Sequence, residues 1–156
     1  MVPDLNFQSH PGKPLEEHIC GVINKSRKFT SLPITEVAAL FHDLGKMNPN
    51  FKAKLEGNPV HGYSNHAYLS VLAFVYCLKS NQQEMMHLLH AENKNDFILR
   101  ILQIITIIAY HHGDIPDFEN MPNMDEINSA ADFLNQNILP FSDFLNQRLG
   151  QNFQPF

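Results

Sequence analysis

The chain contains no tryptophan and only two cysteines. Two thiols are too few for a disulfide framework or a four-cysteine zinc knuckle, and Cys20 and Cys77 sit in apolar helical patterns, which reads as small buried residues. No glycine-rich loop of the phosphate-cradling kind is present. Strand signals are nearly missing: there is no hairpin turn flanked by alternating residues and no internal repeat. The longest apolar run, Phe97 to Tyr110, is broken by Arg100 and Gln103 and is too short to span a bilayer. Met1 to Gln8 lacks the basic and apolar regions of a secretory leader. These absences lead to the expectation of a reduced, cytoplasmic protein with no membrane segment. Basic residues are also few, and a formal net charge of -5 over 156 residues excludes a surface coated for gripping nucleic acid. Residues 1–80 nevertheless hold eight Lys/Arg against six acids, and residues 81–156 three against ten. A local basic face in the first half and a solvated mixed surface fit that distribution equally.

What is present is helical periodicity. Pro14 stands where a helix can begin, and Leu15, Ile19, Val22 and Ile23 continue it to about Phe29, with Glu16 and Glu17 in the first turn and Lys25, Arg27 and Lys28 in the last. Residues before it read as an extended lead-in. Thr35 is a candidate cap for a helix from Glu36 to Leu44, with Gly45 as its stop. Asn48-Pro49 opens a short amphipathic segment with Phe51 and Leu55. Ser64 is a candidate cap for a long helix to about Lys79. Further helices are expected over Gln82–Glu92, over Phe97 to about His112 as the central helix, and over Asp125–Asn137 and Pro140–Leu149. The expected fold is all-α, one domain over residues 1–156 with about seven or eight helices.

Nine histidines are many for such a chain. His42-Asp43 ends an apolar run, and His111-His112 ends another at a Gly-Asp break. His18 and His66 lie near helix starts. Taken singly, His18 or His66 reads more readily as a half-buried imidazole bonded to a carbonyl. The adjacent pairs are harder to explain by packing. Imidazole with carboxylate suits iron, manganese, nickel, cobalt or zinc better than magnesium or calcium. A bridging carboxylate flanked by histidines makes a sensible site for two cations, which can activate water against a phosphate. His87 and His90, beside methionines, and His10, in the lead-in, carry less weight. His61, in a Gly-Pro loop, is a candidate substrate contact.

The ordered set resembles the HD superfamily of metal-dependent phosphohydrolases. Pro14-Leu15-Glu16-Glu17-His18, Phe41-His42-Asp43-Leu44-Gly45-Lys46, His66-Ala67-Tyr68-Leu69-Ser70 and Ala109-Tyr110-His111-His112-Gly113 together resemble one branch, the HD nuclease domain of the CRISPR-associated helicase–nuclease of type I systems. The resemblance covers residues 14 to about 114. It implies an endonuclease of antiviral defence that cuts single-stranded DNA by attack of metal-activated water on phosphate. It further implies one or two divalent transition metals, a helicase domain in cis or trans, and a CRISPR RNA-guided surveillance complex. Carried over, His18, His42 and Asp43 would hold one metal, and Asp43 would bridge to a second held by His66, His111 and His112. Asp43 and Lys46 would be catalytic, Lys46 and Ser70 substrate contacts. Lys25, Arg27, Lys28, Lys52 and Lys54 would track the strand. The family's last ligand, a later aspartate, has no clear match. Asp125, Asp132 and Asp143 are candidates, with Asp143 preferred as farthest downstream. The alternative is a ligand beyond Phe156, the chain being an N-terminal fragment of a longer helicase–nuclease. Two other readings stand beside this one: a phosphohydrolase acting on a nucleotide or cyclic dinucleotide, and a non-catalytic helical module that binds partners and keeps an incomplete metal site.

Overall fold

In a computed structural model, residues 7–60, 64–113, 123–136 and 138–155 are described. Among them are eight α-helices and one two-stranded antiparallel sheet. The helices are α1 (Leu15–Phe29), α2 (Pro33–Phe41), α3 (Pro49–Leu55), α4 (His66–Ser80), α5 (Gln82–Leu88), α6 (Lys94–Ala109), α7 (Met124–Gln136) and α8 (Ile138–Asp143). A 3-10 turn over Leu44–Met47 links α2 to α3, and a π turn over Phe144–Arg148 extends α8. The all-α, single-domain expectation holds. No described helix is long and apolar enough to cross a membrane.

The lead-in is not simply extended. Strands β1 (Gln8–His10) and β2 (Lys13–Pro14) pair as a small hairpin. Gly12, at φ 76°, makes the left-handed turn residue that closes it, and its N–H donates to Gln8 Oε1 at 3.1 Å. Alternation over so few residues leaves no periodic trace, which is why a hairpin was not expected.

Helix boundaries moved where a neighbour decided them. α2 begins at Pro33, whose ring pre-sets φ at N1, rather than after Thr35. It ends at Phe41, ahead of the expected Leu44, and Gly45 falls inside the 3-10 turn instead of stopping a helix. α4 is capped by Asn65, which accepts from the N–H groups of Ala67 and Tyr68, not by Ser64. α6 starts three residues earlier than expected, behind an Asn93 cap, and ends before the paired histidines.

The core is built from Leu15 and Ile19 of α1, Val37, Leu40 and Phe41 of α2, Leu69, Ala73, Phe74 and Cys77 of α4, Ile104 and Ile108 of α6, and Leu134, Phe141, Phe144 and Leu145 further on. Phe41 and Phe74 meet edge to face, ring centroids 5.2 Å apart. α2 packs on α1 and α6, and α4 on α6, α7 and the 3-10 turn. α6 is not central, contrary to expectation: Ile98, Leu99 and Leu102 are about half exposed along one face. Cys77 is buried, and burial pushes its thiol up to about 12. Cys20 is exposed, against the reading that both thiols are interior. Buried Asn81 brackets Gln154, donating to its carbonyl (3.1 Å) and accepting from its N–H (2.6 Å), so residues near 154 lie against the start of α5.

Candidate metal centre

The centre forms where four helix ends converge. His42 and Asp43 occupy the turn between α2 and the 3-10 turn. Asp43 has φ -114° and ψ 7°, off the helical track, in the sparsely allowed bridge region. On a regular helix two successive side chains diverge by about 100°. This turn instead brings the His42 imidazole to the Asp43 carboxylate. His18 comes from the first turns of α1, His66 is the first residue of α4, and His111 and His112 follow the end of α6.

Close packing of the 3-10 turn on α4 sets the register. A Cβ added to Gly45 would lie 2.0 Å from the His66 carbonyl oxygen and 2.8 Å from its Cα. The Gly45 N–H donates to Ser70 Oγ at 2.8 Å. Ser70, expected as a substrate contact, is wholly buried with its hydroxyl engaged by the turn.

The two carboxylate oxygens of Asp43 face two sets of imidazoles. Oδ2 lies 2.9 Å from His18 Nε2 and 3.4 Å from His42 Nε2, while Oδ1 lies 3.4 Å from both His66 Nε2 and His111 Nε2. His112 Nε2 is 2.8 Å from His66 Nε2. Potential ligand atoms therefore form two groups, His18 with His42 and Asp43, and His66 with His111 and His112, each within a 4.8 Å spread.

The tautomers indicate what such a site takes. His42 Nδ1 meets the Ala39 carbonyl at 2.7 Å, and His111 Nδ1 meets the Ile108 carbonyl at 2.7 Å. A carbonyl only accepts, so each Nδ1 carries the proton and, in a neutral ring, each Nε2 presents a lone pair. Those lone pairs point at carboxylate oxygens. Asp43 Oδ1 and His111 Nε2 are buried with no hydrogen-bond partner among the described residues. Facing lone pairs repel, and a cation between them removes the repulsion. Ligating histidines commonly donate the other ring N–H to a carbonyl in this way. The donor set thus fits divalent metal ions.

Electrostatics agree. Burial lowers the pKa of His18, His66 and His112, keeping the rings in the neutral, ligating form. Burial alone would raise the Asp43 carboxyl, but the imidazoles of His111, His42 and His66 around it outweigh burial and hold the group far below the usual carboxylate range. Lys46 is nearly buried, with Nζ 2.8 Å from Asp43 Oδ2, 3.3 Å from the Ser9 carbonyl and 5.5 Å from the Phe51 ring centroid.

The remaining expected residues lie elsewhere. Asp143, half-buried in α8, and exposed Asp125 and Asp132 of α7 belong to neither ligand group. His61 falls outside the described residues. His87 and His90 are exposed, away from the centre, and His90 has a positive φ of 52°. Of the basic residues, Arg27 is tied to Glu36 by a two-point ion pair and Lys52 sits 3.9 Å from Glu56. His10 was undervalued. The hairpin sets its ring edge-on to His18, centroids 5.6 Å apart, and it lines the cavity over the site. Pro11-Gly12 was the available signal for the turn that places it. No family model, no curated protein and no solved structure matches the chain.

Proposed function

We propose that this chain is a metal-dependent phosphodiesterase that cleaves single-stranded DNA, as its resemblance to the HD nucleases implies. One observation carries the reading: a single buried carboxylate divides two groups of imidazoles, with an ammonium beside it and an open groove in front. Such an arrangement has no packing rationale, since it gathers desolvated polar atoms that do not satisfy one another.

His18, His42 and Asp43 would hold one divalent cation and His66, His111 and His112 a second, with Asp43 shared. Cations held there supply an activated water and offset charge on the phosphate oxygens. The protein's own part is positional. The Ala39 and Ile108 carbonyls orient two imidazoles, and Asp43 Oδ2 and the Ser9 carbonyl hold Lys46 where its ammonium can meet a phosphate oxygen. The groove is open rather than closed around a small molecule, which supports a polymeric substrate over a free nucleotide. A helicase and a CRISPR RNA-guided complex are the partners this reading brings with it.

Incubation of circular single-stranded DNA with the protein and manganese, nickel or cobalt tests the proposal. Linear and shorter products are expected, absent with His42→Ala. Intact circles with cation demonstrably bound, or equal cutting by His42→Ala, would sink it.

A further inference from the structure

The groove does not stop at the metal centre. From His42, Asp43, Lys46 and His111 it continues between α1, α2 and α6, and the whole open groove, centre included, has a volume of about 450 Å³. That is far more than one phosphate needs and falls within the roughly 300–1,000 Å³ of small-molecule sites. We propose that this extension is a nucleoside subsite, which takes the sugar and base attached to the phosphate at the centre. The inference rests on the phosphodiesterase reading and adds to it the chemical class that the groove selects.

The lining residues change character with distance from the carboxylate. Val22 of α1, Ala39 of α2 and Ile107 of α6 give apolar walls, and the short alanine leaves the space open. Beyond them stand two hydroxyl residues, Ser26 of α1 and Thr35 of α2. Ser26 lies eight positions after His18, which is roughly 12 Å along a helix. Thr35 lies seven positions before His42, which is roughly 10 Å. Both hydroxyls therefore sit at a similar distance from the centre, about a nucleoside's reach from its phosphate. Ser26 Oγ donates to the Ile23 carbonyl at 2.8 Å, so its lone pairs remain to accept from a base N–H. A flat apolar body with a polar far edge is the shape and polarity of a nucleobase.

Charge narrows the class further. Among the described lining residues Lys46 is the sole lysine or arginine, and it stands at the centre. The nearest arginine on α1, Arg27, is committed to Glu36. A triphosphate tail laid along the extension would find no cation among its described lining residues. A base and sugar need none.

The test compares two esters with the same leaving group, thymidine 5′-(4-nitrophenyl) phosphate and methyl 4-nitrophenyl phosphate, on the whole chain with manganese. The nucleoside ester should be favoured in kcat/KM by about tenfold or more, the scale of a filled apolar pocket. Val22→Trp and, from the opposite wall, Ile107→Trp should remove most of that preference by raising KM for the nucleoside ester. Ligand-observed NMR of thymidine 5′-monophosphate should show binding that both variants weaken by a similar factor. Equal treatment of the two esters, or tryptophan variants that keep the preference and the binding, would overturn the subsite. Cleavage of neither ester, with nucleotide binding still blocked by Val22→Trp, would instead remove the phosphodiesterase reading and leave the subsite standing.

Discussion

Gly45→Ala probes the contact on which the centre depends. Gly45 is not among the glycines with positive φ, so the substitution is a matter of space and not of backbone conformation. The new methyl would lie 2.0 Å from the His66 carbonyl oxygen, and the obstacle is backbone, which cannot swing aside. An ordinary carbon–oxygen contact is about 3.3 Å, so the 3-10 turn and the start of α4 must separate by roughly 1.3 Å. Overpacking of this kind costs about 1–3 kcal/mol. Separation also stretches the buried bond from Gly45 N–H to Ser70 Oγ, and an unsatisfied buried donor costs about 1–3 kcal/mol more. The sum, about 2–6 kcal/mol, is a large share of a typical domain's roughly 5–15 kcal/mol. At this chain length it corresponds to a Tm lower by about 10 °C. Because His66 moves, the His66/His111/His112 group should also lose cation affinity. Gly21→Ala is the internal control. Gly21 lies within α1 with nothing within 4 Å of its added Cβ, so alanine there should stabilise by about 0.5–1 kcal/mol. Thermal unfolding with and without manganese reads both. A Gly45→Ala protein that melts within about 2 °C of wild type and binds cation unchanged would refute the reasoning.

Other expectations follow from the same geometry. In chelator, Tm should fall as pH drops below about 6.5, because His18, His66 and His112 have lowered pKa values in the fold and the unfolded chain binds their protons first. That stability is complete above the unfolded value and is lost as pH falls through the folded ones; a Tm that rises on acidification from pH 7 to 5 contradicts it. Asp43, whose pKa is lowered, contributes on a separate limb below about pH 4. Asp43→Asn should abolish binding of both cations by removing the shared ligand, read as metal per chain after gel filtration, and one retained equivalent would show that the groups are independent. Lys46→Met should keep metal binding while lowering turnover by about 10²-fold or more, the scale of a lost charge-stabilising group. A Lys46→Met protein that cuts at the wild-type rate places Lys46 outside the chemistry.

Local signals made much of the scaffold legible. Leu15, Ile19 and the end charges placed α1 at its observed limits, and Asn48-Pro49 opened α3 as expected. The histidine spacing pointed to one centre because each of these side chains is near a helix end, and such ends are marked by proline, glycine and asparagine. Contacts between elements were not legible. Whether α2 stopped before or after His42 depended on Gly45 meeting the His66 backbone, a contact across α4. The Ser70 hydroxyl looked like a site residue from its helix face, yet the same contact buries it. The exposed apolar face of α6 escaped notice because hydrophobicity alone does not say which side of a helix is covered.

The ligand set is also widely separated along the chain. His18 and His112 lie 112 - 18 = 94 positions apart, with His42, Asp43 and His66 between them. No short segment holds either group, because one joins α1 to the end of α2 and the other joins α4 to the end of α6. Neither can form until distant helices have docked, so a cation cannot nucleate folding. A cation held there would act afterwards as a clasp, contacting only the finished arrangement, and its stabilisation would belong almost wholly to the unfolding rate. Loaded protein would then leave the native state more slowly while reaching it no faster.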